Sequence, residues 1–202
     1  MYSLLSFNIN MCDTTLLLHA MSFAADKHRN QRRKNTEKTP YINHPIKVST
    51  KIAEIGKVTD TVPLVAALLH DTLEDTDTSY EEIEAHFGKE IADVVSEVTD
   101  NKALPKVERK KLQVIKAPHK SHAAKLVKLA DKLDNLSDLL KETPKGWSPE
   151  VAYGYFVWSY KVVEGLRGSN SELEDALDSI FQQVINPTEN LETALEKYYE
   201  SL

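Results

Sequence analysis

The stretch LLHDTLED, Leu68 to Asp75, sets one imidazole and three carboxylates (His70, Asp71, Glu74, Asp75) at the end of an apolar run. At helical spacing Glu74 falls beside His70 and Asp71, and Asp75 beside Asp71. Carboxylates gathered this closely repel one another and resist desolvation unless a cation or several hydrogen-bond donors compensate. A divalent metal would answer that need, and imidazole with carboxylate suits Mn, Fe or Zn. The plain alternative is a helix leaving the core into a solvated acidic loop, the ordinary fate of a His-Asp pair. A metal needs further ligands from other segments. Of the seven histidines, His44 stands out in YINHPIKVS, ahead of a proline-started helix that would hold it rigidly. In AAKLVKLADKLDNLSDLL the leucine stripe places Asp131 on the opposite, solvent side, while Val127 and Ala130 widen the apolar arc and Asn135 follows Asp131 by one turn. Spacing leaves Asp131 open.

The elements that must position these groups read as helices throughout. Periodicity predicts them over about residues 14–30, 45–56, 61–73, 79–87, 88–100, 105–116, 122–141, 149–166 and 170–184, with no strand alternation and no internal repeat. Val62, Leu64, Val65, Ala66, Leu68, Leu69 and Leu73 surround the third helix with apolar side chains, the mark of a buried helix. Thr78 or Ser79 is placed to cap the fourth, and Gly88 to stop it. The connections are short, so the expectation is an all-α, single compact domain over 14–185. Residues 1–13 form an N-terminal extension. Residues 186–202 form a C-terminal extension that restarts after Pro187, either as an added helix capped by Thr188 or as a frayed end.

Composition narrows the function classes. A net charge of −6 over 202 residues argues against a general nucleic-acid binder, which needs a basic face to displace counterions from phosphates. The lone Cys12 permits no intramolecular disulfide and fits a reducing compartment. No apolar run approaches the roughly 20 residues of a membrane span. No Lys or Arg precedes Lys27, which disfavours a signal peptide or presequence. The expectation is a soluble, cytoplasmic protein with a small-molecule partner, no nucleic acid and no membrane. Composition does not fix an oligomeric state.

The ordered set YINHP, LLHDTLEDT, EVTDNKALPKVERKKLQ and KLVKLADKLDNL resembles the HD-domain alarmone hydrolases, most closely the metazoan SpoT homologue family, from about Met21 to Phe181. The resemblance implies an all-helical HD-domain fold and a stand-alone hydrolase. It implies one Mn ion, with Zn or Fe as alternatives, and hydrolysis of the 3′-pyrophosphate of guanosine tetraphosphate or pentaphosphate. The family's metal ligands fall on His44, His70, Asp71 and Asp131, and the pair serving the attacking water on Glu74 and Asp75. Asn135 matches a residue at the nucleoside sugar. Arg33 and Lys34 match a basic pair near the base and phosphates, and Tyr41, Lys106, Arg109 and Tyr155 match the same pocket. The resemblance also implies removal of the 2′-phosphate of NADPH.

Against these expectations stand plainer readings. KHRNQRRK and KVERKKLQ are charge runs of the kind that usually face water, although an acidic protein that binds a polyanion needs local cations. Trp147, Phe156 and Trp158 suit core or pocket wall better than a stacking platform, and His19 and His86 have no usable partner spacing. Ser137 stands where many relatives carry arginine, which puts one pocket contact in doubt. The competing functions are an HD phosphohydrolase acting on another nucleotide and a nucleotide sensor without turnover. The intact Glu74-Asp75 pair disfavours the sensor.

Overall fold

The computed structural model describes residues 13–202 apart from Pro187 and Glu189. The expected extension over 1–13 therefore lies outside the described residues except for Asp13, as do Cys12 and Pro187. The helices are α1 (Asp13–Lys27), α2 (Asn43–Glu54), α3 (Thr61–Leu69), α4 (Thr72–Asp75), α5 (Tyr80–Phe87), α6 (Lys89–Val98), α7 (Lys106–Lys116), α8 (His122–Lys141), α9 (Pro149–Glu164), α10 (Ser171–Val184) and α11 (Leu191–Glu200), with a single 3-10 turn at Ala117–His119. Among the described residues there is no strand, only an isolated bridge between Arg32 and Pro40. The all-α expectation holds.

Two apolar clusters meet on α8. One is built around α3, whose residues from Val65 to Leu69 are almost wholly buried against α1, α2 and α6. The other joins α9, α10 and α11. Helix α8 serves both, giving Ala124, Val127 and Ala130 to the first and Leu126, Leu129, Leu133 and Leu136 to the second. A helix packed on two sides keeps little solvent face, and Asp131 is only 7% exposed. The apolar arc seen in the sequence was thus two arcs, and the polar residues between them were drawn inside.

The helix expected over 61–73 is broken. Helix α3 ends at Leu69 and α4 begins at Thr72. The carbonyl oxygens of Ala67 and Leu69 accept hydrogen bonds from His70 Nδ1 and Thr72 Oγ1, each at 2.7 Å. Side chains that take helix carbonyls compete with the backbone ladder, and Asp71 sits at φ −99°, ψ −3°, a sparsely used bridge conformation. The break lies at the His-Asp pair itself.

Other ends follow the expected chemistry. Ser79 caps α5 by accepting from the Glu82 amide, and Gly88 ends it at φ 86°, where a side chain would be strained. Helix α11 is capped by Asn190, whose side chain accepts from the amides of Glu192 and Thr193, so the expected Thr188 cap is corrected. Helix α11 lies on α9 so closely that a Cβ at Gly154 would come 2.6 Å from Cβ of Tyr198. Only glycine fits under that ring.

Candidate active site and metal centre

The end of α3, the start of α2 and the middle of α8 bring His70, His44 and Asp131 together, all buried, with their donor atoms within 4.8 Å of one another. His44 Nε2 lies 3.3 Å from Asp131 Oδ1 and 3.8 Å from Asp71 Oδ2. His70 Nε2 lies 3.1 Å from Asp71 Oδ2 and 3.9 Å from Asp131 Oδ1. Asp71 is within reach of both rings but stands outside the group of three mutually close donors, and its Oδ2 accepts a 2.7 Å hydrogen bond from the Tyr41 hydroxyl.

The orientation of the rings tests whether a cation fits. His70 Nδ1 donates to the Ala67 carbonyl, so in the neutral ring the lone pair is on Nε2, and that buried atom has no hydrogen-bond partner. It faces two carboxylates. A lone pair turned toward anions is repulsive unless a proton or a metal ion stands between them, and one metal with ligands at about 2.1 Å holds neighbouring donors roughly 3 to 3.5 Å apart. His44 Nδ1 pairs with Asp134 Oδ2 at 2.7 Å, which turns its Nε2 inward, and Lys51 Nζ donates to the other Asp134 oxygen at 2.6 Å. This is the outer-shell arrangement that orients metal-binding imidazoles. The donor set fits a divalent ion.

The electrostatics agree. Burial would depress the His44 imidazole, yet its hydrogen bonds to Asp131 and Asp134 carry it up to about 9. Burial would raise the Asp71 and Asp131 carboxyls, yet His70 beside Asp71, and Lys132 with His44 beside Asp131, hold both well below the usual carboxylate range. The two carboxylates stay ionised, the form in which they can hold a cation.

A cleft of about 340 Å³ opens over this centre. Asp71, Glu74, Asp75, Asp100 and Asp131 face it, ringed by Lys34, Lys106, Arg109, Lys110, Lys128 and Lys132. Tyr41, Asn135 and Tyr155 also line it. An anionic hub that can take a metal, surrounded by cations that can take phosphate, suits metal-assisted phosphoester hydrolysis. Glu74 accepts the Asp100 amide at 3.1 Å and lies 3.6 Å from the Arg109 guanidinium. Burial first, then the Asp100, Asp71 and Asp75 carboxylates, push the Glu74 carboxyl upward against that amide bond. Asp75 is paired with Lys102.

Arg33 is the exception among the expected pocket residues. It does not line the cleft; its guanidinium donates to Asn135 Oδ1 and Asp138 Oδ2, both at 3.0 Å, and lies over the Tyr41 ring. Asn135 in turn donates to Asp131 Oδ1 at 2.6 Å, so Arg33 supports a residue of the cleft from behind. The Ser137 hydroxyl donates to the Leu133 carbonyl of its own helix. Trp158 is wholly buried, its indole N–H bonded to the Lys110 carbonyl, and the Lys110 ammonium lies 3.5 Å from its ring centroid. His19 and His86 pack edge to face with each other.

Sequence reading missed Asp134, Lys51, Asp100, Lys110, Lys128 and Lys132. Asp134 follows Asp131 by one helical turn and could have been found by asking what orients His44. Lys128 precedes Asp131 by one helical turn and Lys132 follows it directly, but charged residues on a leucine-rich helix ordinarily mark its wet side. Their burial depends on the second packing face of α8.

The HD domain family matches residues 20–153. The guanosine-3′,5′-bis(diphosphate) 3′-pyrophosphohydrolase MESH1 of Xenopus tropicalis is 59% identical over 169 residues, covering 84% of this chain and 94% of that protein. The human protein of the same name is 58% identical over 167 residues, covering 83% and 93%. A solved structure of a metazoan ortholog of SpoT that hydrolyses ppGpp superposes with a TM-score of 0.82 at 52% identity, covering 83% of this chain and 94% of its own.

Proposed function

This chain belongs to the HD domain family, and we propose that it hydrolyses the 3′-pyrophosphate of guanosine tetraphosphate or pentaphosphate, giving GDP or GTP and pyrophosphate. The observation that carries the reading is the buried His70 Nε2, without a hydrogen-bond partner and facing the Asp71 and Asp131 carboxylates, which line a cation-ringed cleft. His44, His70, Asp71 and Asp131 would hold one divalent ion, which we read as Mn. When bound, such an ion polarises a phosphoryl oxygen and makes the attacking water more acidic. Glu74, whose burial favours proton uptake, accepts the proton of that water, and Asp75 orients it. Lys34, Lys106 and Arg109 hold the phosphates. Asn135, fixed between Asp131 and Arg33, meets the sugar, while Tyr155 forms part of the wall.

The test is turnover by the metal-stripped protein reloaded separately with Mn, Zn, Fe or Mg. Pyrophosphate release is followed from guanosine tetraphosphate, and orthophosphate release from NADPH. Highest turnover of the tetraphosphate with Mn supports the reading, and NADPH turnover measures the second activity implied by the family resemblance. Silence on both, with hydrolysis of a deoxynucleotide or cyclic nucleotide instead, overturns it.

Two narrower results are expected. Each charge-assisted phosphate contact is worth about 1.5 to 3 kcal/mol, so Lys34→Ala and Lys106→Ala should each raise KM by about tenfold to a hundredfold with kcat nearly kept. Unchanged steady-state kinetics in both would make these lysines merely solvated. Asp134→Ala removes the acceptor that turns His44, so metal affinity, read by competition with a chelator, should fall by about tenfold to a hundredfold. An unaltered affinity in the folded variant would show that Asp134 serves packing alone.

A further inference from the structure

A second cleft, of about 400 Å³, lies between the end of α6, helix α7, the 3-10 turn and α8. It shares Asp100, Arg109, Gln113 and Lys128 with the reaction cleft, so the two meet along these four side chains. Lys116 and Lys120 line the second cleft and not the first. Its lining is cationic in effect. The carboxylates facing it are Glu97 and Asp100. Glu97 is engaged by the amide and hydroxyl of Ser121, both at 2.6 Å, and Asp100 accepts the Gln113 amide at 2.6 Å.

Lys120 donates to the Glu97 carbonyl at 2.6 Å, but two other cations of the lining are less well satisfied. Lys128 is 6% exposed and has neither a hydrogen bond nor an ion pair among the described residues. Arg109 Nε is also buried without a hydrogen-bond partner. An ammonium removed from bulk water and left unpaired is costly, and a bound anion is the usual compensation. Lys128, which has only longer-range attraction to Asp131, Asp100 and Asp71, and Arg109, whose other guanidinium nitrogen pairs with Glu74, stand where the two clefts join.

We propose that the second cleft is an anion site for a diphosphate group, anchored on Lys128 and Arg109 with Lys116 and Lys120 at its outer side. This rests on the hydrolase reading for the identity of the anion. The substrate carries one diphosphate on each side of its ribose, and only one of them is positioned at the metal. The other cleft takes a diphosphate from one of two sources, the nucleotide's 5′-diphosphate or the pyrophosphate that has left.

The experiment is calorimetric titration of the Mn-loaded full chain with inorganic pyrophosphate and, separately, with GDP. It compares the wild type with Lys128→Met and with the double variant Lys116→Ala/Lys120→Ala, with metal content measured in each. The double variant touches only the second cleft, and Lys128→Met replaces a buried charge by a side chain of similar length, so neither removes core packing. The expected result is a loss of at least about tenfold in affinity in both variants at unchanged metal content. Loss with GDP identifies the 5′-diphosphate as the occupant; loss with pyrophosphate alone identifies the leaving group. Wild-type affinity for both ligands in both variants overturns the site. Diphosphate binding with this pattern but no turnover of guanosine tetraphosphate would leave the site standing and remove the hydrolase reading.

Discussion

Substituting His70 by Ala is expected to remove the divalent ion and to lower turnover by at least about a thousandfold. The ring does two jobs that alanine cannot share: its Nδ1 donates to the Ala67 carbonyl where α3 stops, and its Nε2 faces Asp71 and Asp131 without a hydrogen-bond partner. Without the imidazole, the remaining donors are one histidine and two carboxylates, and the carboxylates lose a neighbour that holds Asp71 ionised. A metal contributes several kcal/mol to a phosphoryl transition state, and each 1.4 kcal/mol is about tenfold in rate. Asp131→Ala should behave alike, since Asp131 Oδ1 lies 3.3 Å from His44 Nε2 and also accepts from Asn135. Elemental analysis and kinetics should be read together with circular dichroism. His70→Gln, which can keep a donor toward Ala67, separates a folding defect from loss of the ligand. A folded, metal-free variant with full activity would sink the assignment.

Much of this site was legible in the sequence, for identifiable reasons. His70, Asp71, Glu74 and Asp75 are close in the chain, so local spacing already gathered them, and the wholly apolar Val62–Leu69 segment announced that they end a buried helix. The break between α3 and α4 was not legible, because it depends on the His70 and Thr72 side chains taking carbonyls from the ladder. Asp131 needed the family resemblance. Its burial comes from two packing surfaces on one helix, a tertiary fact that a single periodicity cannot express. The buried lysines were invisible for the same reason, and the run KVERKKLQ conceals a division of labour. Lys106 is exposed beside the cleft, Arg109 reaches toward Glu74, and Lys110 folds back over Trp158.

Glu74→Gln is expected to separate chemistry from metal binding. Glutamine keeps the size of the side chain and an oxygen to accept the Asp100 amide, but it cannot take a proton from water. General base catalysis contributes typically about 10²- to 10⁴-fold, so kcat should fall by about that factor while KM and metal content change little. A base works in its deprotonated form, so the wild-type rate should fall as pH drops through the Glu74 value. Burial and the Asp100, Asp71 and Asp75 carboxylates raise that value, which puts the acid limb above the usual range for glutamate. Glu74→Gln should flatten that limb. Asp75 is the comparison: its carboxylate is already engaged by Lys102, so Asp75→Asn should disturb positioning and leave the acid limb in place. If Glu74→Gln loses the ion along with activity, Glu74 is a ligand and the proton goes elsewhere. If it keeps full turnover and Asp75→Asn abolishes the acid limb, the two carboxylates have exchanged roles, and the base is the residue that Lys102 holds.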